Sequence, residues 1–355
     1  MLSSLPVRLA TAFLLGTLMW QAPAAESAAS ENSPEALVRH LSSIRLWGPA
    51  RPKPAGALEV EHVLDIAYRD DPKTDPIRHR LDLFVPKGKK DFPVVVLAHG
   101  GGWIIGDNRC CGLYTSVGEF LASQGIGAVL PNYRLSPAVK HPAHAQDVAR
   151  AVAWTSRHIA KHGGNPKRIY LLGHSAGGHL VSLLATDKSY LKAEGLDAGD
   201  IKGVIAVSGV FNIPAGSIKG TLGGSGPRAL RVQQVYPLRG TSSLWNCAFP
   251  GIPASLDPFG IAFGKNAKER TQASPLTHVR RGLPPFLLLV AENDLPTLRE
   301  TADEFHQALR GVGCNAQFRT IKERNHNSIL FSAIHPDDPT ASALLEFLRS
   351  QPKEK

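Results

Sequence analysis

Gly173-His174-Ser175-Ala176-Gly177 reads G-x-S-x-G. It follows an apolar run, Arg168-Ile169-Tyr170-Leu171-Leu172, and precedes a helix-like run that starts near Gly178. A serine so placed sits on a sharp strand-to-helix turn. Glycines on both sides let the chain bend, and the turn lifts the hydroxyl clear of the sheet. That is how a nucleophile is presented to a substrate carbonyl. Five residues prove little alone, so the rest of the chain must supply a base, an acid and donors for an oxyanion.

Outward from Ser175, strands alternate with helices. Pro93 to Ala98 is a continuous apolar run, as expected of a strand buried on both faces. Gly127–Leu130, Ile169–Leu172, Val204–Val207, Phe286–Val290 and Ala316–Ile321 read as further strands. Tyr114–Ser123, His144–His162, Gly178–Thr186, Thr297–Gly311 and Ala341–Ser350 read as helices. This alternation predicts an α/β fold with a mostly parallel sheet covered by helices. Val60–Tyr68 and Leu81–Val85, with Asp71-Pro72 and Asp75-Pro76 between them, predict an antiparallel pair at its start. Residues 211–272 break the rhythm. They are rich in Gly, Pro and Ser, and a long insertion between two strands reads as a cap over a site.

A serine hydroxyl is a poor nucleophile until an imidazole takes its proton. Of the chain's 14 histidines, His326 follows the last strand, on the rim where ligands bind in open α/β sheets. The base needs an acid to fix its tautomer. Asp294 follows Phe286–Val290 on the same rim and is preferred to Glu292, which lies nearer the strand end. The chain order Ser, Asp, His suits this architecture. His99-Gly100-Gly101-Gly102-Trp103 follows Pro93–Ala98. The Gly101 and Gly102 N–H groups, with that of Ala176, are the candidate oxyanion donors. His99 is expected to orient the loop. Trp103 is expected to pack, with lining an acyl pocket as the other use. A glycine triplet also serves phosphate loops, but no G-x-G-x-x-G and no G-K-[ST] is present. His141 and His144 read as helix entry and not as a metal pair, and Asp147 as a loop anchor.

The ends and the bulk bound the rest. Arg8, the apolar run Leu9–Met19 and Ala22-Pro23-Ala24 read as a secretory signal over residues 1–24. Residues 25–57 read as an N-terminal arm with a short helix over 33–46, and 58–350 as one domain. The expectation is a secreted or periplasmic protein with no membrane span after cleavage. The formal net charge of +10 comes from scattered Lys and Arg without a dense basic run, so no nucleic-acid groove is expected. Cys110, Cys111, Cys247 and Cys314 allow three full pairings, with a bond from Cys110 or Cys111 to Cys247 preferred.

HGGGW (99–103), NYRLSP (132–137), HPAHAQD (141–147), GHSAGG (173–178), SPLTHV (274–279), END (292–294) and HNSI (326–329) together resemble the α/β-hydrolase superfamily, in its esterase branch. Within it the chain looks most like bacterial feruloyl-esterase-like and hormone-sensitive-lipase-like carboxylesterases. The resemblance implies an α/β-hydrolase fold, a Ser175–Asp294–His326 triad, and no cofactor or metal. It implies a small ester or an acylated polysaccharide as substrate. The loop pattern also resembles kynurenine formamidases, which cleave an N-formyl amide. A non-catalytic binding module on the same fold is the reading from another class. Such modules usually lose a triad member, and all three candidates are present here.

Overall fold

The computed structural model of the chain describes residues 56–214 and 257–350. Its strands are β1 (Val60–Ala67), β2 (Arg80–Pro86), β3 (Phe92–Ala98), β4 (Gly127–Pro131), β5 (Gly164–His174), β6 (Ile201–Val207), β7 (Phe286–Asn293) and β8 (Ala316–Asn325). They form one sheet in the order β1-β2-β4-β3-β5-β6-β7-β8. β2 runs antiparallel to both β1 and β4, and every later pairing is parallel.

The continuous apolar run of β3 follows from its place inside this sheet. Val94 and Val96 point into one core, with Val148 and Val152 of α2 (Ala143–His158) and Leu180 and Leu184 of α3 (Ala176–Thr186). Val95 and Leu97 point into the other core. There they join Val117 and Leu121 of α1 (Leu113–Ser123) and Leu344 and Phe347 of the C-terminal helix, Pro339–Ser350. A strand with a core on each face has no polar side to show.

Several boundaries differ from the sequence reading. The helix after Ser175 begins at Ala176 instead of Gly178. Glycine is a weak helix former, so Gly177 and Gly178 read as turn. They belong to the helix because backbone packs directly on them: a Cβ at Gly177 would lie 2.1 Å from the Ala98 carbonyl oxygen. The last strand extends to Asn325 rather than Ile321. β8 is the sheet edge, where charged residues such as Lys322, Glu323 and Arg324 are tolerated and hide the strand period. Residues 211–272 are not irregular throughout. Lys188–Ala193 forms α4, and within the insertion Pro258–Phe263 forms α5 and Ala267–Gln272 forms α6. Phe211 and Ile213 are buried in the core.

The expected signal, the helix over 33–46 and Cys247 lie outside the described residues. Among those residues no helix is long and apolar enough to cross a membrane. Cys314 is a buried thiol that donates to the Pro284 carbonyl at 3.2 Å, and burial pushes its pKa up to about 11.

Asp147 of α2 is fully buried and carries several partners. It accepts from Arg134 Nε at 2.7 Å and from the Arg134 N–H at 3.1 Å. Arg150 lies 3.2 Å away and His79 Nε2 3.1 Å away. His79 Nδ1 accepts from the Asp75 N–H, so Nε2 carries the ring proton and lies beside the carboxylate. One carboxylate thus joins the β1–β2 turn, the segment after β4, and α2. Burial raises its pKa, but hydrogen bonds from His79 and Arg134 outweigh that and hold it at about 2, below the usual 3.8. A depressed carboxyl stabilises the fold above its unfolded pKa, and that contribution is lost as the pH falls through its folded value. Asp147→Asn is therefore expected to cost about 3–5 kcal/mol at neutral pH. The melting-temperature gap to the parent should close as the pH is lowered toward about 2. A gap that stays constant with pH would contradict this role.

Candidate active site

All the candidate residues stand at the carboxyl ends of neighbouring parallel strands. Ser175 follows β5, Asp294 follows β7 and His326 follows β8. Sheet order therefore brings together residues 151 and 32 positions apart in the chain. The Ser175 hydroxyl lies 2.9 Å from His326 Nε2, and His326 Nδ1 lies 2.7 Å from Asp294 Oδ1. The carboxylate can only accept, so Nδ1–H donates to it and Nε2 is left to accept from Ser175. Both side chains are nearly out of solvent: Ser175 is 6 % exposed and His326 4 %.

Ser175 has φ 55° and ψ −118°. That is the strained elbow expected from the sequence, and it points the hydroxyl away from the sheet. Its own N–H donates to the Val207 carbonyl at 2.9 Å, which locks the elbow to β6.

Asp294 is held on several sides. Its Oδ2 accepts from the Ser208 hydroxyl at 2.5 Å and from the Ala291 N–H at 3.0 Å. Its Oδ1 accepts from the Leu295 N–H at 2.9 Å. Burial raises its pKa, but His326, Ser208 and Ala291 outweigh that and keep the carboxyl below the ordinary carboxylate range. Asp294 is thus an anion wherever His326 needs one. Glu292, the competing acid, instead accepts from the Glu323 N–H at 2.9 Å and is exposed.

The loop after β3 meets the elbow directly. A Cβ at Gly100 would lie 3.1 Å from the His174 carbonyl oxygen. Gly101 has φ +116°, and a Cβ there would lie 1.9 Å from the Ile105 carbonyl oxygen, so only glycine fits. Among the described residues, the N–H groups of Gly101 and Gly102 donate to no backbone or side-chain acceptor. Ala176 is the first residue of α3, where an N–H has no intrahelical partner. His99 Nδ1 lies 2.7 Å from the Gly100 carbonyl, and its ring stacks on Tyr133 at 4.3 Å. Burial pushes its pKa down to about 3, so it orients the loop as a neutral ring.

Trp103, a candidate substrate contact, is 2 % exposed. Its indole N–H donates to His179 Nδ1 at 3.2 Å, and its ring packs edge-on against Phe263 of α5 at 4.8 Å. Trp103 therefore packs between the loop after β3 and α5. His141 and His144 are separately engaged, with Tyr190 at 3.2 Å and Ser136 at 3.0 Å. Among the described residues no group of three His, Cys, Asp or Glu side chains could hold a metal ion.

The sequence reading missed Ser208. Its signal is available once sheet order is known, because it follows β6, the strand between those carrying Ser175 and Asp294.

Known proteins resemble this chain in sequence and in fold. The BD-FAE family model matches residues 81–309, more than half of the chain. A probable carboxylic ester hydrolase of Mycobacterium tuberculosis is 30% identical over 226 residues, covering 62% of this chain and 45% of that protein. A probable isoprenylcysteine alpha-carbonyl methylesterase of Arabidopsis thaliana is 26% identical over 272 residues, covering 74% of this chain and 50% of that protein. The chain thus spans about half the length of the curated relatives it matches. Among solved structures, a hyperthermophilic esterase from the archaeon Pyrobaculum calidifontis superposes with a TM-score of 0.60 at 25% identity, covering 82% of this chain and 84% of that one. A truncated carbohydrate esterase from gut microbiota shares the fold, with a TM-score of 0.63 at 18% identity, covering 86% and 99%. With the mostly parallel sheet, these matches show the α/β-hydrolase fold.

Gly101→Ala is expected to displace the loop that carries the candidate donor N–H groups. The rate of p-nitrophenyl acetate cleavage should fall about 100- to 1000-fold, the effect of losing an oxyanion donor. An unchanged rate would remove Gly101 from the site.

Proposed function

The chain belongs to the BD-FAE family, and from that premise we propose that it is a serine carboxylesterase acting through an acyl-enzyme. One observation carries the reading: Ser175 Oγ, His326 and Asp294 stand in one hydrogen-bonded line of 2.9 and 2.7 Å.

The chemistry follows from that line. Ser175 Oγ attacks the ester carbonyl carbon as His326 Nε2 takes its proton. The imidazolium that forms faces the Asp294 carboxylate, which stabilises its charge and keeps the ring oriented. Negative charge collects on the former carbonyl oxygen, where the N–H groups of Gly101, Gly102 and Ala176 receive it. His326 then gives its proton to the leaving alkoxide, and the alcohol departs. Water repeats the sequence on the acyl-enzyme, with His326 again as base, and frees the acid.

Small acyl or aryl esters are the proposed substrates, and an acylated polysaccharide fits the resemblance together with an exported chain. Export itself, to a secreted or periplasmic site, rests on Arg8, Leu9–Met19 and Ala22-Pro23-Ala24. The second reading is cleavage of an N-formyl amide. It needs the same attack and the same donors and differs only in the leaving group, and the H-G-G-G-W loop pattern supports it.

The purified protein should hydrolyse p-nitrophenyl acetate and butyrate, and Ser175→Ala should lose about 10^4-fold or more. His326→Ala should lose a similar factor, since triad members act as a unit. Equal rates for parent and Ser175→Ala would sink the enzyme reading. A panel including an N-formyl aryl amide separates the two leaving groups: faster amide than ester turnover would favour the second reading.

A further inference from the structure

Two buried side chains that this chemistry does not use lie in one line beneath the site. The Gly100 N–H donates to the Tyr114 hydroxyl oxygen at 2.7 Å. That hydroxyl lies 3.1 Å from His174 Nδ1, and His174 Nε2 lies 2.7 Å from the backbone carbonyl oxygen of His326. A carbonyl only accepts, so Nε2 carries the ring proton. Burial pushes the His174 pKa down to about 3, against the opposing hydrogen bond to the His326 carbonyl. The ring therefore stays neutral at any ordinary pH. Its Nδ1 is left as the acceptor for the Tyr114 O–H. Each proton in the line then has one place to go.

The line is also close-packed. A Cβ at Gly100 would lie 3.0 Å from the Tyr114 oxygen and 3.1 Å from His174 Nδ1. The His174 and His326 rings are 4.9 Å apart. Phe331, just past the base, packs against Tyr114 at 5.2 Å and against His174 at 5.5 Å. Tyr114 is 6 % exposed and His174 2 %.

We propose that Tyr114 and His174 are positioning residues that tie the loop bearing the oxyanion donors to the loop bearing the base. Gly100 opens the segment that holds Gly101 and Gly102. The carbonyl at the other end belongs to His326 itself. The two loops come from β3 and β8, which are separated in the sheet by β5, β6 and β7. No shared strand pairing holds them in register. The Tyr114–His174 line supplies that register, so donors and base keep one spacing while charge develops between them. Both residues act through the backbone of others and not on a reacting atom. The inference rests on the triad reading above.

Three substitutions dissect the line. Tyr114→Phe removes one oxygen and keeps the ring. His174→Asn puts an amide oxygen near Nδ1, which keeps the Tyr114 contact and drops the one to His326. His174→Gln puts an amide nitrogen near Nε2, which keeps the His326 contact. Each is measured for kcat and KM with p-nitrophenyl butyrate, for the fraction of protein labelled by a fluorophosphonate, and for melting temperature.

Tyr114→Phe is expected to lower kcat about 10- to 100-fold, as small misplacements of reacting groups do, with KM nearly unchanged and labelling still complete. His174→Asn should lose at least as much, and His174→Gln should recover part of it. A purely structural role would instead lower kcat only in step with the labelled fraction, and that result overturns the inference. So does a Tyr114→Phe kcat equal to the parent's, provided Ser175→Ala is inactive. An active Ser175→Ala would overturn the triad reading instead, so the two failures are distinct. If the His174 variants do not fold, Tyr114→Phe decides alone.

Discussion

The backbone of Ser175, at φ 55° and ψ −118°, occupies a region that residues with a side chain rarely visit, at a cost of about 1–3 kcal/mol. It is kept there by contacts that leave no other path. A Cβ at Gly173 would lie 2.2 Å from the Gly177 carbonyl oxygen, so the chain entering the turn touches the chain leaving it. All of α3, from Ala176 to Thr186, is buried and cannot shift to relieve the strain. The N–H of Ser175 is bonded to β6. From this turn follow the aim of the hydroxyl toward His326, the unpaired N–H of Ala176, and the approach of the H-G-G-G-W loop.

The second constraint is electrostatic. A histidine cannot hold a developing positive charge in a buried site without a fixed anion beside it. Asp294 is made reliable as that anion by four donors: His326, Ser208 and the Ala291 and Leu295 amides. The other buried histidines near the site take the opposite role. His99, His174 and His179 are all pushed down to about 3 by burial. They remain neutral and serve as scaffolding. His326 differs from these three in having a carboxylate, Asp294, at its Nδ1.

The architecture and the juxtaposition of Ser175, His326 and Asp294 were legible because their signals are local. An alternating texture predicts the sheet, a pentapeptide predicts the elbow, and placement just after a strand selects Asp294 and His326. Ser208, Tyr114 and His174 were not legible as parts of the site. Each matters through a neighbour distant in sequence, and a serine after a strand or a tyrosine in a helix has no distinctive spacing. The helix start at Ala176 was hidden by glycines whose function is close packing, and the length of β8 by the charges an edge strand permits. Within 211–272, α5 and α6 were missed because six-residue helices are too short to show a period. Packing and substrate contact look alike in sequence for Trp103, and its bond to His179 could not be read from spacing.

The central claim is that the His326–Asp294 pair activates Ser175 and no other hydroxyl. Treating the intact protein with a fluorophosphonate, followed by digestion and mass spectrometry, tests it most directly. The account predicts one adduct per chain, carried by the peptide containing Gly173 to Gly178 at Ser175, and a greatly slowed reaction in Asp294→Asn. An adduct on a different residue, or undiminished labelling of Asp294→Asn, would contradict it.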